Sequence, residues 1–174
     1  VTNPVQSEAE RILSYLQQQA AQRSIDELIS RVQEGVDDLA AAARALNPAT
    51  LDTPSGESET PGEPWSPRQC LEHAAGSNIS VARNVLHVAL SGEFPAPEAV
   101  KLPADVETVL AQHAEAIESL YAHVREADPG GFPDVKWRHP MFGDLNWREW
   151  LLFIRIHSKD HARQLAAMTA PPGS

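Results

Sequence analysis

Asn146-Trp147-Arg148-Glu149-Trp150-Leu151-Leu152-Phe153-Ile154-Arg155-Ile156-His157-Ser158-Lys159-Asp160-His161-Ala162-Arg163-Gln164-Leu165-Ala166-Ala167-Met168 reads as one helix, and its reading decides the fold. Asn146 is a good N-cap, and Glu149 stands where a capping box needs a carboxylate. Leu145 and Trp150 are placed for a hydrophobic staple. Pro171 and Pro172 are expected to end the helix, because proline cannot donate the next backbone bond. Trp147, Trp150, Leu151, Ile154, His157, His161, Leu165 and Met168 recur at steps of three and four, so they share one face. Two histidines one turn apart therefore occupy positions where the pattern asks for core residues. Imidazoles at i and i+4 can close on one metal ion.

Working outward, the other helices follow from the same period. An apolar stripe runs from about Ser7 to Leu46, through Ile12, Leu16, Ala20, Leu28, Val32, Val36, Leu39 and Ala43. Ser24 and Glu27 offer a second capping box, so one long helix and two shorter ones are equally consistent. Residues 47–64 hold four prolines and two glycines and are expected to be a mobile loop around Ser-Gly-Glu-Ser-Glu-Thr. Ser66, Pro67 and Gln69 start a helix that runs to about Leu90, and a further helix spans about Asp105 to Ala127. Residues 132–145 read as irregular and rich in aromatic side chains, packed over an open end of the helices. Nothing alternates with period two for long enough to predict a strand. The expected fold is an all-α four-helix bundle.

Composition narrows the function. A chain of 174 residues with 42% hydrophobic side chains is expected to form one domain, 1–174, with a real core. A net charge of −10 argues against a nucleic-acid partner and against an anionic membrane surface. No apolar run approaches the ~20 residues of a membrane span. The chain starts without the basic-then-apolar layout of a signal peptide. Its single cysteine, Cys70, excludes an intrachain disulfide, so a cytoplasmic location is expected.

The seven histidines carry the chemistry. His73 lies on an inward face of its helix, so His73, His157 and His161 can supply three imidazoles from facing helices, leaving a position for a further ligand. The spacing alone leaves open that they are hydrogen-bonded packing residues. The pattern is not that of the zinc peptidases, because Ser158 follows His157 where a general-base glutamate would stand. His113 is placed as a fourth ligand or as a core residue behind the ligands. Cys70 is placed as a soft ligand or a small buried hydrophobe. Gln164 can hydrogen-bond to the site or lie on the surface. Asp160 and Glu72 are candidates to orient a ligand's second nitrogen. His87, His123 and His139 are expected in solvated or loop positions.

Three stretches resemble the DinB-like superfamily of metal-binding four-helix bundles. They are Trp65-Ser66-Pro67-Arg68-Gln69-Cys70-Leu71-Glu72-His73, the segment His139-Pro140-Met141-Phe142-Gly143-Asp144-Leu145, and His157-Ser158-Lys159-Asp160-His161-Ala162-Arg163-Gln164-Leu165. The resemblance implies that His73, His157 and His161 hold a divalent ion such as zinc, nickel or iron, and it suggests a homodimer. Related members include transferases and isomerases that use low-molecular-weight bacterial thiols such as bacillithiol or mycothiol. The resemblance therefore implies a metal-dependent thiol transferase acting on a small-molecule substrate. In it, Trp137, Met141 and Phe142 would wall the substrate and residues 47–64 would gate entry. Two other readings stand beside it. One is a metal-dependent hydrolase with water as the nucleophile, for which no inward carboxylate base is apparent. The other is a non-enzymatic stress or binding protein with a structural metal.

Overall fold

The computed structural model describes residues 7–56, 58 and 62–169. Among the described residues five α-helices follow one another: α1 (Glu8–Gln22), α2 (Ile25–Arg44), α3 (Pro67–Ser91), α4 (Val106–Val124) and α5 (Trp147–Thr169). Two short strands, β1 (Lys136–His139) and β2 (Gly143–Asn146), precede α5. Helices α2 to α5 make the expected all-α four-helix bundle. In it α5 packs on α2 and α3, α4 packs on α3 and α2, and α1 adds a fifth helix against α5.

The helices begin where the local chemistry says they should. Reciprocal capping boxes form at Ser7–Glu10, Ser24–Glu27 and Ser66–Gln69. At α5, Asn146 Oδ1 accepts from the Arg148 and Glu149 amides, and Glu149 Oε2 accepts from the Asn146 amide. The stop expected at Pro171-Pro172 lies outside the described residues. The open question at residue 23 resolves as two helices. Arg148 explains why: its guanidinium donates to the Ala20 carbonyl at 3.0 and 2.8 Å and to the Arg23 carbonyl. One is a carbonyl of the last turn of α1 and the other that of its C-cap, and a continuous helix would have consumed both internally.

The described part of residues 47–64 is more structured than expected. It holds a 3-10 turn, Pro48–Thr50, and an antiparallel bridge between Gly56 and Trp65. The expected mobility falls largely on Glu57, Glu59 and Thr60, outside the described residues.

The segment read as irregular contains a β-hairpin, which corrects that expectation. Trp137 pairs with Leu145 and His139 with Gly143 in an antiparallel register. Pro140, Met141 and Phe142 make a three-residue loop, and Gly143 then turns into the left-handed region at φ 79°. Four-residue strands give period two too few repeats to register. The pairing is held from outside instead: the Trp137 ring stacks on Trp150 at 5.2 Å, and Trp150 Nε1 donates to the Trp137 carbonyl at 3.2 Å. Trp137 therefore faces Trp150 and Phe94, not a substrate space.

Close packing of α2 on α5 depends on Gly35. A Cβ there would stand 2.7 Å from the Arg155 carbonyl oxygen and 3.0 Å from its Cα. Both are backbone atoms, so no side-chain rotation relieves the contact. Alanine gains about 1 kcal/mol of helix propensity over glycine, while overpacking of this kind costs about 1–3 kcal/mol. Gly35→Ala is expected to lower stability by up to about 2 kcal/mol in urea denaturation. Gly76→Ala, whose Cβ meets only Leu102 Cδ1 at 3.6 Å, is expected to raise it by up to about 1 kcal/mol.

Candidate metal centre

His73 comes from α3, and His157 and His161 come from successive turns of α5. The bundle brings them together. His157 Nε2 lies 3.4 Å from His73 Nε2 and 3.0 Å from His161 Nε2. The three candidate ligand atoms all fall within 4.8 Å of one another. Two nitrogens bound to one ion at about 2.0–2.1 Å, at angles from square to tetrahedral, stand about 2.8–3.4 Å apart. The spacing of the His157 nitrogen from its two neighbours therefore fits one divalent cation.

The tautomers fit as well. His157 Nδ1 lies 2.9 Å from Asn78 Oδ1, and His161 Nδ1 lies 3.1 Å from Gln164 Oε1. An amide oxygen can only accept, so both Nδ1 atoms carry the proton and both Nε2 atoms carry the lone pair a metal needs. Burial, together with His161 and His73 beside it, pushes the His157 pKa well below the ordinary histidine range. The imidazole is therefore neutral at pH 7, as a ligand must be.

The residues behind the ligands differ from those expected. Gln164 Oε1 lies against His161 Nδ1, and Gln164 Nε2 donates to Asp160 Oδ2 at 3.2 Å, so Asp160 stands behind Gln164. The orienting group for His157 is Asn78, which is fully buried and was not singled out from the sequence. Asn78 falls in step with Leu71, Ala75, Ala82 and Val85, so the period of α3 puts it on a buried face, but nothing in that pattern says which atoms its amide meets.

Cys70 Sγ sits 3.6 Å from His161 Nδ1, the side of the ring away from His157. It cannot join the same ion, and burial pushes its thiol up to about 12. It is a packing residue. His113 is no fourth ligand either, because its Nε2 lies 3.1 Å from Asn78 Nδ2.

His139, expected in a solvated or loop position, is the half-buried last residue of β1, next to the hairpin loop. Its ring stacks on Phe142 at 4.4 Å and tilts against Phe153 at 4.7 Å. Its Nδ1 accepts from the Met141 and Phe142 amides at 3.1 and 3.3 Å, which pins the hairpin tip. His87 and His123 are exposed as expected.

Two clefts meet at this cluster. A cleft of about 850 Å³ is lined by His73, Val81, Val100, Trp150, Phe153 and Met141, with Glu72 as its charged side chain. A second, of about 440 Å³, is lined by His161, Gln164, Asp160, Arg163, Glu8 and Trp65. His157, His139, Met141 and Phe153 line both. Phe142 lines the smaller one only. The histidine cluster is thus reached from a side with Glu72 as its one charge and from a side that carries Glu8, Asp160 and Arg163 among Ile12, Trp65 and Ile156.

Burial of His113, which is 2% exposed, lowers its pKa from the ordinary 6.5 to about 4. The unfolded chain then binds the proton that the folded chain refuses. This stability is full above pH 6.5 and is lost progressively as pH falls to about 4, a difference of about 3 kcal/mol. His113→Gln is expected to flatten that part of the stability–pH curve, measured by urea denaturation at a series of pH values.

No helix among the described residues is long and apolar enough to cross a membrane. The sequence family described as the DinB superfamily matches residues 33–165, a span that holds all three histidines. A solved structure described as the crystal structure of TT2238, a four-helix bundle protein, is similar at 29% identity and a TM-score of 0.55. The likeness covers 83% of this chain and 99% of that one. No curated protein matches. The family match over most of the chain, on a four-helix bundle that converges three histidines on one point, establishes that this chain belongs to the DinB superfamily.

Proposed function

We propose that the protein is a divalent-metal-dependent transferase that joins a low-molecular-weight thiol, of the bacillithiol or mycothiol kind, to a small electrophile. The observation that carries the reading is the pair of chemically different clefts meeting at His157. His73, His157 and His161 would hold zinc, nickel or iron through Nε2. Bound there, such an ion supplies a Lewis acid that favours the thiolate over the thiol near neutral pH.

The residues of the chain do the rest. Asp160, Arg163 and Gln164 give the smaller cleft donors and acceptors for a polar thiol carrier. Val81, Val100, Trp150 and Phe153 give the larger one an apolar wall that receives an electrophilic carbon and excludes water. Met141, 69% exposed at the hairpin tip, stands between the two. In the reaction the sulfur–carbon bond forms as the bond from carbon to its leaving group breaks, and the thiol proton passes to solvent. Cys70 is too deeply buried to serve as the nucleophile, so the thiol comes from outside.

The test is thiol consumption by zinc-loaded protein with a chloro-dinitrobenzene electrophile and a panel of cellular thiols. Turnover that requires metal and a particular thiol is expected. Equal turnover of an ester with no thiol present would replace this reading with the hydrolase. Absence of both, with a metal that chelators do not remove, would leave a structural metal in a binding protein.

A further inference from the structure

We propose that His113, on α4, which supplies no ligand, sets through Asn78 which nitrogen His157 offers to a metal. The proposal rests on His157 being a metal ligand. Three buried side chains from three helices carry it: Asn78 on α3, His113 on α4 and Ser158 on α5, exposed by 0%, 2% and 0%. Asn78 Nδ2 lies 2.9 Å from Ser158 Oγ and 3.1 Å from His113 Nε2, while its Oδ1 lies 2.9 Å from His157 Nδ1.

An amide has a donor end and an acceptor end, so it makes the two imidazoles interdependent. With the oxygen towards His157, that ring carries its proton on Nδ1 and His113 must present an unprotonated Nε2 to the amide nitrogen. If the amide turns over, His113 must donate from Nε2 and His157 must accept at Nδ1. The His157 proton then sits on Nε2, the atom that faces His73 and His161, and the metal position is blocked. A mixed pairing leaves a buried polar atom facing its own kind, which costs as much as a lost hydrogen bond. His113 and His157 are therefore both protonated on Nδ1 or both on Nε2. The arrangement in the structure is the first, which is competent to bind. Ser158 does not discriminate, because a hydroxyl serves either end of the amide. His113 is thus a positioning residue for a metal that it does not touch.

The experiment combines long-range 1H–15N spectra of the histidine rings with zinc affinity by chelator competition. In zinc-loaded wild type, His113 is expected to be protonated on Nδ1. His113→Leu is expected to weaken zinc binding about 10-fold, and Asn78→Leu about 10–100-fold, as loss of a ligand-orienting partner does. His113→Gln, which restores an acceptor, is expected to recover affinity to within about 3-fold of wild type. A His113 protonated on Nε2 with zinc bound, or unchanged affinity in His113→Leu, would overturn the proposal. Should either variant fail to fold, the wild-type spectra decide alone. If wild type binds no zinc at all, the metal reading fails separately. The metal-free spectra then still test the coupling, and opposite tautomers in the two rings would refute it.

Discussion

His157→Ala is expected to weaken zinc binding by about 10²–10³-fold while the bundle stays folded. Closed zinc sites with four ligands bind with about 10–16 kcal/mol, so one ligand's share is about 2.5–4 kcal/mol. His157 is the nitrogen placed 3.0–3.4 Å from both others, so its loss leaves His73 and His161 without the member that joins them. The bundle should tolerate the change for two reasons. Leu151, Leu152, Ile154 and Leu165 on the same helix are each 0% exposed and are untouched. The vacated space opens onto both clefts, so water can replace the imidazole at Asn78 Oδ1. Zinc affinity by chelator competition, alongside a thermal melt, checks both parts. Wild-type affinity in the variant would remove His157 from the ligand set. Collapse of the fold would favour a structural metal.

Trp147→Ala is expected to cost about 3–5 kcal/mol of stability, the largest effect of any single truncation proposed for this protein. Trp147 is 1% exposed and belongs to the larger core cluster. Its indole Nε1 donates to the Gly131 carbonyl at 2.8 Å, and Arg148 Cζ lies 5.6 Å from its ring centroid. Truncation leaves a cavity, an orphaned carbonyl and a lost cation–π contact at the junction of the hairpin and α5. Urea denaturation measures the loss. A value under about 1.5 kcal/mol would mean that residues 129–131 collapse into the space.

The two predictions differ in how far ahead of the structure they were visible. His157 and His161 stood out because the 3.6-residue period of α5 demanded core residues where they occur. His73 was visible for the same reason on α3. The start of α5 was equally readable, because a capping box is a transaction within four residues. Trp147 read as a core residue too, but its bond to Gly131 did not.

The hairpin escaped for a different reason. Its strands are four residues each, and their register is held by stacking of Trp137 on Trp150, a helix residue. The break between α1 and α2 stayed open because two local signals competed there: the stripe continued while Ser24 and Glu27 offered a cap. Arg148, reaching back 128 residues to the Ala20 carbonyl, resolves it.

What the sequence by itself determined, then, is what chain neighbours within about one helical turn can settle: helix limits other than the break at residues 23–24, apolar faces, caps, and which histidines face inward. Only the tertiary structure decided the proton positions in the site. Asn78 meets His157 across 79 residues of chain, Ser158 across 80 and His113 across 35. A side chain's hydrogen-bond role depends on which atoms lie opposite it, and for Asn78 those atoms belong to two other helices. Local patterning can place an amide on a buried face. It cannot say that its oxygen points at a ligand, because that follows from how three helices pack.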